Sequence, residues 1–223
     1  MTVLRETFDD VLREFSCCNL AAVPVSELPR REQTYFETFM PEARTAVTLA
    51  HHITTEEEWK WNVTEAGAER CGADDHAREV CERLRSEIVH SGGKAKLVKY
   101  PGESGLQFRF VAQASGLGTI GVNAFLFHPA WGPWVHLRVM ATDAELDIRP
   151  DIPGRQTCTR CLLCLPECPA GAISEEGFSG QRCRSFRGAR GEYEPWGPER
   201  ELRYCERCIR ICPQGRKPWT RDP

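Results

Sequence analysis

The chain has 223 residues, 41% of them hydrophobic, with 29 Lys and Arg against 32 Asp and Glu, for a net charge of −3. That length suits one ordinary core plus a small appended module, and no apolar run approaches the ~20 residues of a membrane span. The charge gives no support for tight nucleic-acid binding, and cysteine-rich secreted scaffolds are disfavoured because no signal segment is evident.

Thr2 is a good cap, and behind it Val3 or Leu4, Phe8, Val11, Leu12 and Phe15 recur at helical spacing. A first helix is predicted, packed through one face. Its acids and arginines exclude a secretory or transit peptide, and Arg30-Arg31 lies too deep for an export signal. A cytoplasmic protein is expected. Asn19–Val25 reads as a short strand and Arg44–His51 as a buried one, entered after Pro41. Glu56-Glu-Glu58 reads as a solvated first helical turn, favoured there by the helix dipole. A long helix is predicted from about Asp74 to His90, stopped by Gly92-Gly93. Lys96–Tyr100 is the next strand, and the alternation of Phe108, Phe110, Ala112 and Ala114 leaves a strand open there. Asn123–Phe127 and Trp134–Ala141 are predicted strands joined by the proline-glycine turn His128–Pro133. The expectation is an α+β layered domain over residues 1–146, a Pro/Gly linker at Asp147–Gly154, and a cysteine module over residues 155–223.

That module carries the sharpest signal. Its first run is Cys158-x₂-Cys161-x₂-Cys164-x₃-Cys168-Pro169, and a second comprises Cys183, then Cys205-x₂-Cys208-x₃-Cys212-Pro213. The first is the bacterial ferredoxin spacing, in which three close cysteines wrap one iron–sulfur cube and the fourth reaches its neighbour. Two such runs imply exchanged ligands. Cys158, Cys161, Cys164 and Cys212 are assigned to one [4Fe–4S] cluster, and Cys205, Cys208, Cys168 and Cys183 to the other. Zinc ribbons use paired C-x₂-C units and lack this double Cys-Pro layout. From Asp151 onward thirteen Lys and Arg face ten Asp and Glu, an excess that offsets the negative charge of the clusters. Cys17, Cys18, Cys71 and Cys81 share no ligand spacing and read as small buried hydrophobes, the adjacent pair being awkward for a single metal.

Gly116-Leu-Gly118-Thr-Ile-Gly121 fits G-x-G-x-x-G literally, but the segment after it, Val122–Pro129, is aromatic and strand-like rather than helical. A dinucleotide fingerprint requires a helix there. A tight turn that lets backbone approach a phosphate or flat cofactor fits better. His51-His52, His76, His128 and His136 read as structural or solvent-facing side chains, with a ligand role conceivable. Trp131, Trp134, Phe125 and Phe127 read as core, with the wall of a flat pocket as the rival reading.

The stretch SGLGTIGVNAFLFHPAWGPWVHLRVMATDAEL, together with the two cysteine runs and the isolated Arg182-Cys183, resembles epoxyqueuosine reductases and their reductive-dehalogenase relatives. Weaker similarity reaches back to Pro41-Glu-Ala-Arg-Thr-Ala-Val and Asp74-Asp75-His76, so the resemblance spans roughly residues 40–215. It implies a nitroreductase-like α+β domain holding cobalamin, followed by a small ferredoxin-like double [4Fe–4S] module that feeds electrons to cobalt. Gly116, Gly118, Gly121 and Asn123 would line that cofactor, with the cluster of Cys158, Cys161 and Cys164 nearest to it. The chain departs from the pattern in several places. The family's acidic residue in a V-D-x-x-P segment falls near Gly102, leaving Glu103 or Tyr100 as acid candidates without a motif match. The family's loop Trp and Lys are Thr119 and Val122 here, and Asp74-x-His76-x-x-Glu79 does not meet the D-x-H-x-x-G rule of histidine-ligated cobalt. The helical-repeat tail is missing before Pro223, so tRNA binding is not expected.

Three functions follow. One is an iron–sulfur oxidoreductase reducing cobalamin or a substrate above it, fed by an external low-potential donor. The second is an electron carrier or reductive activator docking on a separate corrinoid protein. The third, structural clusters beside an RNA-binding domain, lacks aromatic–basic interleaving. Anaerobically reconstituted protein should hold about eight iron and eight sulfide per chain, four of each per cube. Iron saturating at one cluster's worth, or zinc alone, would overturn the cysteine assignment.

Overall fold

The computed structural model describes residues 2–15, 17–63, 69–99, 104–150, 152–189, 201–202 and 205–219. Strands β1 (Cys18–Pro24), β2 (Thr45–His52), β5 (Ala95–Leu97) and β8 (Val135–Thr142) form an antiparallel sheet in the order β1-β2-β8-β5. Seven of the eight residues of β2 are buried, because helices cover both faces of this central strand.

The alternation of side chains divides the sheet into two faces. Leu20, Ala22, Val47, Leu49 and Met140 point toward α1 (Thr2–Glu14) and α4 (Gly72–His90). Helix α1 packs Phe8 and Val11 there, the face expected from its spacing, and α4 contributes Ala77, Val80, Cys81, Leu84 and Ile88. Ala21, Val23, Ala46, Ala50, Val139 and Ala141 point the other way, toward α2 (Arg30–Phe39) and α5 (Phe108–Ala114). The result is a mixed α/β layered fold. On the outer edge of β1, Ala22 N–H donates to the Ile148 carbonyl at 2.9 Å, so the chain leaving β8 covers that edge.

Smaller elements complete the chain: α3 (Glu56–Trp59), β3 (Trp61–Val63), β4 (Glu69–Cys71), the hairpin β6 (Thr119–Ile120) and β7 (Leu126–Phe127), α6 (Cys164–Glu167), α7 (Gly180–Ala189), β9 (Glu201–Leu202) and α8 (Arg207–Arg210). Two expectations are corrected. The alternating stretch at Phe108 is helix α5, whose Phe108, Val111 and Ala112 are its buried residues; a seven-residue segment of this composition satisfies both periods, and packing against the sheet decides. The strand expected over Asn123–Phe127 is confined to Leu126–Phe127, because Ala124 is left-handed (φ 65°) and closes a turn onto Gly121. Helix α2 was not anticipated, since Glu32 and Phe36 are its only buried residues. No helix among the described residues is long and apolar enough to cross a membrane.

One charged network sits inside this frame. Asp74, in the first turn of α4, accepts from Arg138 Nη2 at 2.6 Å and lies 2.7 Å from His136 Nε2, both on β8. Burial pushes the Asp74 carboxyl up, but His136 and then Arg138 outweigh it and hold it down at about 2. Asp74→Asn should cost about 3–5 kcal/mol by leaving the guanidinium without its counter-charge, read as a lower urea midpoint at neutral pH. Because the folded value lies below the unfolded ~3.9, the wild-type stability from this group is complete above about pH 4. It is lost as pH falls toward 2, a decline the variant should lack.

Candidate iron–sulfur and cofactor site

The glycine loop begins where α5 ends. Gly116 is left-handed (φ +88°), and the Leu117 and Gly116 amides donate back to the Ala112 and Gln113 carbonyls at 2.9 and 3.1 Å. This is a glycine C-terminal cap, which is why the sequence needs glycine there. A helix thus precedes the loop and a hairpin follows it, the reverse of a dinucleotide fingerprint. The other two glycines have a different cause. A side chain at Gly118 would run into the Phe127 carbonyl and come within 3.3 Å of the His128 Cα, and one at Gly121 would strike the Phe127 ring. Their close approach is to the chain's own hairpin. Gly116 alone of the three faces open space.

Asn123 is buried. Its Nδ2 donates to the Cys208 carbonyl at 3.3 Å, and its Oδ1 accepts from the Phe125 amide at 3.3 Å. Beyond the hairpin, Trp131 stacks between two histidines, 4.0 Å from His128 and 4.9 Å from His52 ring to ring. His128 is fully buried, and among the described residues its Nε2 has no hydrogen-bond partner. Burial, then the neighbouring His52, push its pKa down to about 4, so it is neutral at physiological pH.

The eight module cysteines fall into two neighbourhoods. The thiol of Cys164 is raised by burial and then by Cys158, Cys161 and Cys212; that of Cys212 by burial and then by Cys161 and Cys158. The thiol of Cys208 is pushed up to about 12 by burial first, then by Cys205, Cys168 and Cys183, and least by Cys164. Arg160 and Leu162, between the first three cysteines, are left-handed (φ 54° and 62°), which winds that run into a tight loop. The Ala172 amide donates to Cys168 Sγ at 3.3 Å. Soft thiols in sets of four are the donor set of an iron–sulfur cube.

The module is seated on the glycine-loop hairpin. Trp134, 1% exposed, packs with Ile53, Ala73 and Ile209, and its ring meets Trp219 and Trp59 edge-on at 4.9 and 5.1 Å. Its indole N–H donates to the Gly215 carbonyl at 3.2 Å. Thr119 in the loop is hydrogen-bonded to Thr157 at 2.8 Å, next to Cys158, while Asn123 holds Cys208. Cys158 and Cys208 therefore adjoin the loop. Glu103 and Tyr100 lie outside the described residues. Sequence reading missed the Asp74–His136–Arg138 network, and the meeting of Cys17, Cys18 and His51; only the buried-strand pattern around His51 and His136 hinted at either.

No family model matches the chain. An epoxyqueuosine reductase of Staphylococcus aureus is 32% identical over 116 residues, 50% of this chain and 30% of that protein. The structure of epoxyqueuosine reductase from Bacillus subtilis superposes with a TM-score of 0.68 at 20% identity, covering 100% of this chain and 68% of that one. The fold is that of the epoxyqueuosine reductases. A further epoxyqueuosine reductase structure, solved with an epoxyqueuosine-modified tRNA-Tyr stem loop, superposes at 0.64 with 19% identity, covering 95% of this chain and 66% of that one. Reductive dehalogenases share the fold less fully, at 0.56 and 17%, covering 89% of this chain and 30% of theirs. The chain spans about a third of the length of the curated relatives it matches. The tRNA stem loop belongs to that relative, and it bears only mildly against the sequence-based expectation that tRNA binding is not supported.

Cys212→Ala tests the exchanged ligation. It should perturb the cluster of Cys158, Cys161 and Cys164, identified by its own electron paramagnetic resonance signal, more than the cluster of Cys205 and Cys208. Loss confined to the Cys205 cluster would mean that each run closes on itself.

Proposed function

We propose that this protein is a cytoplasmic iron–sulfur oxidoreductase that passes single electrons through two [4Fe–4S] clusters to a cobalamin, or to a substrate above it, beside the glycine loop. What supports the reading is that Cys158, Cys161 and Cys212 neighbour Cys164, that Cys205, Cys168 and Cys183 neighbour Cys208, and that the Asn123–Cys208 bond ties the latter run to the loop hairpin. In this reading residues 1–146 form a nitroreductase-like cofactor domain and residues 155–223 a ferredoxin-like double-cluster module.

The residues present fit both groups. Each quartet supplies the four thiolates of one cube, Cys158, Cys161, Cys164 and Cys212 holding one, Cys168, Cys183, Cys205 and Cys208 the other. Gly116 offers an open backbone face, and His128, beside Gly118, offers a buried ring nitrogen that has no hydrogen-bond partner among the described residues. When bound, cobalamin supplies a metal centre that accepts single electrons and returns a pair to a substrate. The chain's own work is to place, to exclude water and to hand on protons. Gly116 lets the backbone approach closely, Gly118 and Gly121 keep the hairpin pressed on the loop, and Asn123 ties the loop to the Cys208 run. Glu103 and Tyr100, just before α5, are the proton-donor candidates. An external low-potential donor fills the clusters.

Gly116→Asn is the informative variant, since asparagine tolerates the left-handed conformation while adding bulk to the open face. With both clusters loaded, the variant should keep its iron and melting temperature. It should bind cobalamin about tenfold or more weakly by anaerobic spectroscopic titration, a loss of about 1.4 kcal/mol. Unchanged binding would remove the loop from the site. A wild-type protein with full clusters and no cobalamin uptake at saturation would overturn the bound cofactor in favour of an electron carrier serving a separate corrinoid protein.

A further inference from the structure

Cys17, Cys18 and His51 meet on the α1/α4 side of the sheet, away from the glycine loop. Cys18 and His51 are cross-strand partners in the β1–β2 ladder. Cys17 precedes the strand, in the turn where the Cys18 amide donates to the Phe15 carbonyl at 3.0 Å, and its own carbonyl accepts from the His52 amide at 2.7 Å. Alternation along a strand would send adjacent side chains to opposite faces. Because Cys17 lies in the turn, both sulfurs reach one atom. Cys17 Sγ is 3.5 Å and Cys18 Sγ 3.4 Å from His51 Nδ1, and the three ligand atoms lie within 4.8 Å of one another.

The other ring nitrogen is fixed. His51 Nε2 is 2.9 Å from Glu58 Oε1, and a carboxylate only accepts, so Nε2 carries the proton and Nδ1 presents its lone pair to the sulfurs. Glu58 is itself held: Oε2 accepts from Thr54 N at 2.6 Å, Thr54 Oγ1 at 3.0 Å and Thr55 N at 3.2 Å, as the reciprocal half of the capping box that opens α3. The solvated turn expected at Glu56–Glu58 thus has one member turned inward as a histidine's partner. One lone pair cannot properly accept from two thiols at once. A single cation bonded by all three atoms resolves that conflict.

We propose that Cys17, Cys18 and His51 bind one zinc ion, with Glu58 as the carboxylate that orients the histidine. A tetrahedral zinc at ~2.3 Å from sulfur and ~2.1 Å from nitrogen has sulfur–nitrogen edges of about 3.6 Å, close to the separations present. Two thiolates and an imidazole suit this borderline-soft ion, and a carboxylate on the far ring nitrogen is the usual companion of a zinc-bound histidine. Half-buried Cys17 gives the site a side toward solvent, and the exposed His76 lies near it, its ring 5.3 Å from that of His51. Binding releases two thiol protons, so uptake tightens as pH rises. The ion would clamp the end of α1 to the edge pair of the sheet.

The test uses anaerobic protein with both iron–sulfur clusters loaded, so that the module cysteines are occupied, treated with a mild chelator and then titrated with Zn²⁺. Expected are one zinc per chain beyond the iron, and zinc-edge X-ray absorption reporting two sulfurs and one nitrogen from protein. Cys17→Ala should abolish stoichiometric uptake while leaving iron and sulfide unchanged. Glu58→Gln, which preserves the capping box, should weaken uptake by about 10- to 100-fold. The site is overturned by no uptake in the wild type, by uptake indifferent to Cys17→Ala, by a zinc edge reporting four sulfurs, or by a Cys17–Cys18 disulfide in anaerobically prepared protein.

Discussion

The register between β2 and β8 governs where chemistry is placed in this protein. Pairing His51 with His136 and Leu49 with Arg138 sends those four side chains to the α4 face. There Asp74 meets His136 and Arg138, and His51 meets Cys17 and Cys18, where the chain enters β1. The intervening residues, Ala50, Leu137 and Val139, point to the opposite face and floor the glycine loop. A slip of one residue would exchange the two sets and bury charge against α5. Because β2 is enclosed on both faces, such a slip is strongly disfavoured.

The second organising contact is the seat of the cysteine module. Burying one tryptophan removes roughly 200 Å² from water, worth several kcal/mol at about 25 cal/mol per Å². Neutral hydrogen bonds such as Asn123 to Cys208 contribute about 1 kcal/mol each. The apolar cluster around Trp134 and Ile209 therefore supplies most of the adhesion, while the hydrogen bonds set the register of the cysteine run on the hairpin. Apolar adhesion tolerates small shifts, whereas a hydrogen bond holds one alignment.

The two faces of the sheet hold different kinds of order. On the loop face, glycines let the chain lie on itself, and Gly116 leaves one patch of backbone uncovered. On the α4 face, polar groups are satisfied by one another in chains, Thr54 and Thr55 to Glu58 to His51, and His136 and Arg138 to Asp74. Such networks are stable only when every member is present. Removing one group leaves a buried donor or acceptor without its partner, so each behaves as a unit.

The cysteine runs were legible in the chain because their close spacing is short-range geometry, which is written in sequence separation. The amphipathic α1, the long α4 and the buried β2 were legible for the same reason, since hydrophobic periodicity records which face is covered. Other features depended on contacts between distant segments. Phe108–Ala114 became a helix because the sheet face above it takes Val111 and Ala112, and the loop glycines are explained by Phe127, which arrives only when the hairpin closes. Cys17 and Cys18 looked like an ordinary buried pair until a turn and a cross-strand register, 33 residues apart for Cys18 and His51, brought them to one imidazole nitrogen. Local spacing determined which cysteines lie close together along the chain. Tertiary pairing alone decided which buried side chains meet, because a strand's register is fixed by its neighbours and not by its own residues.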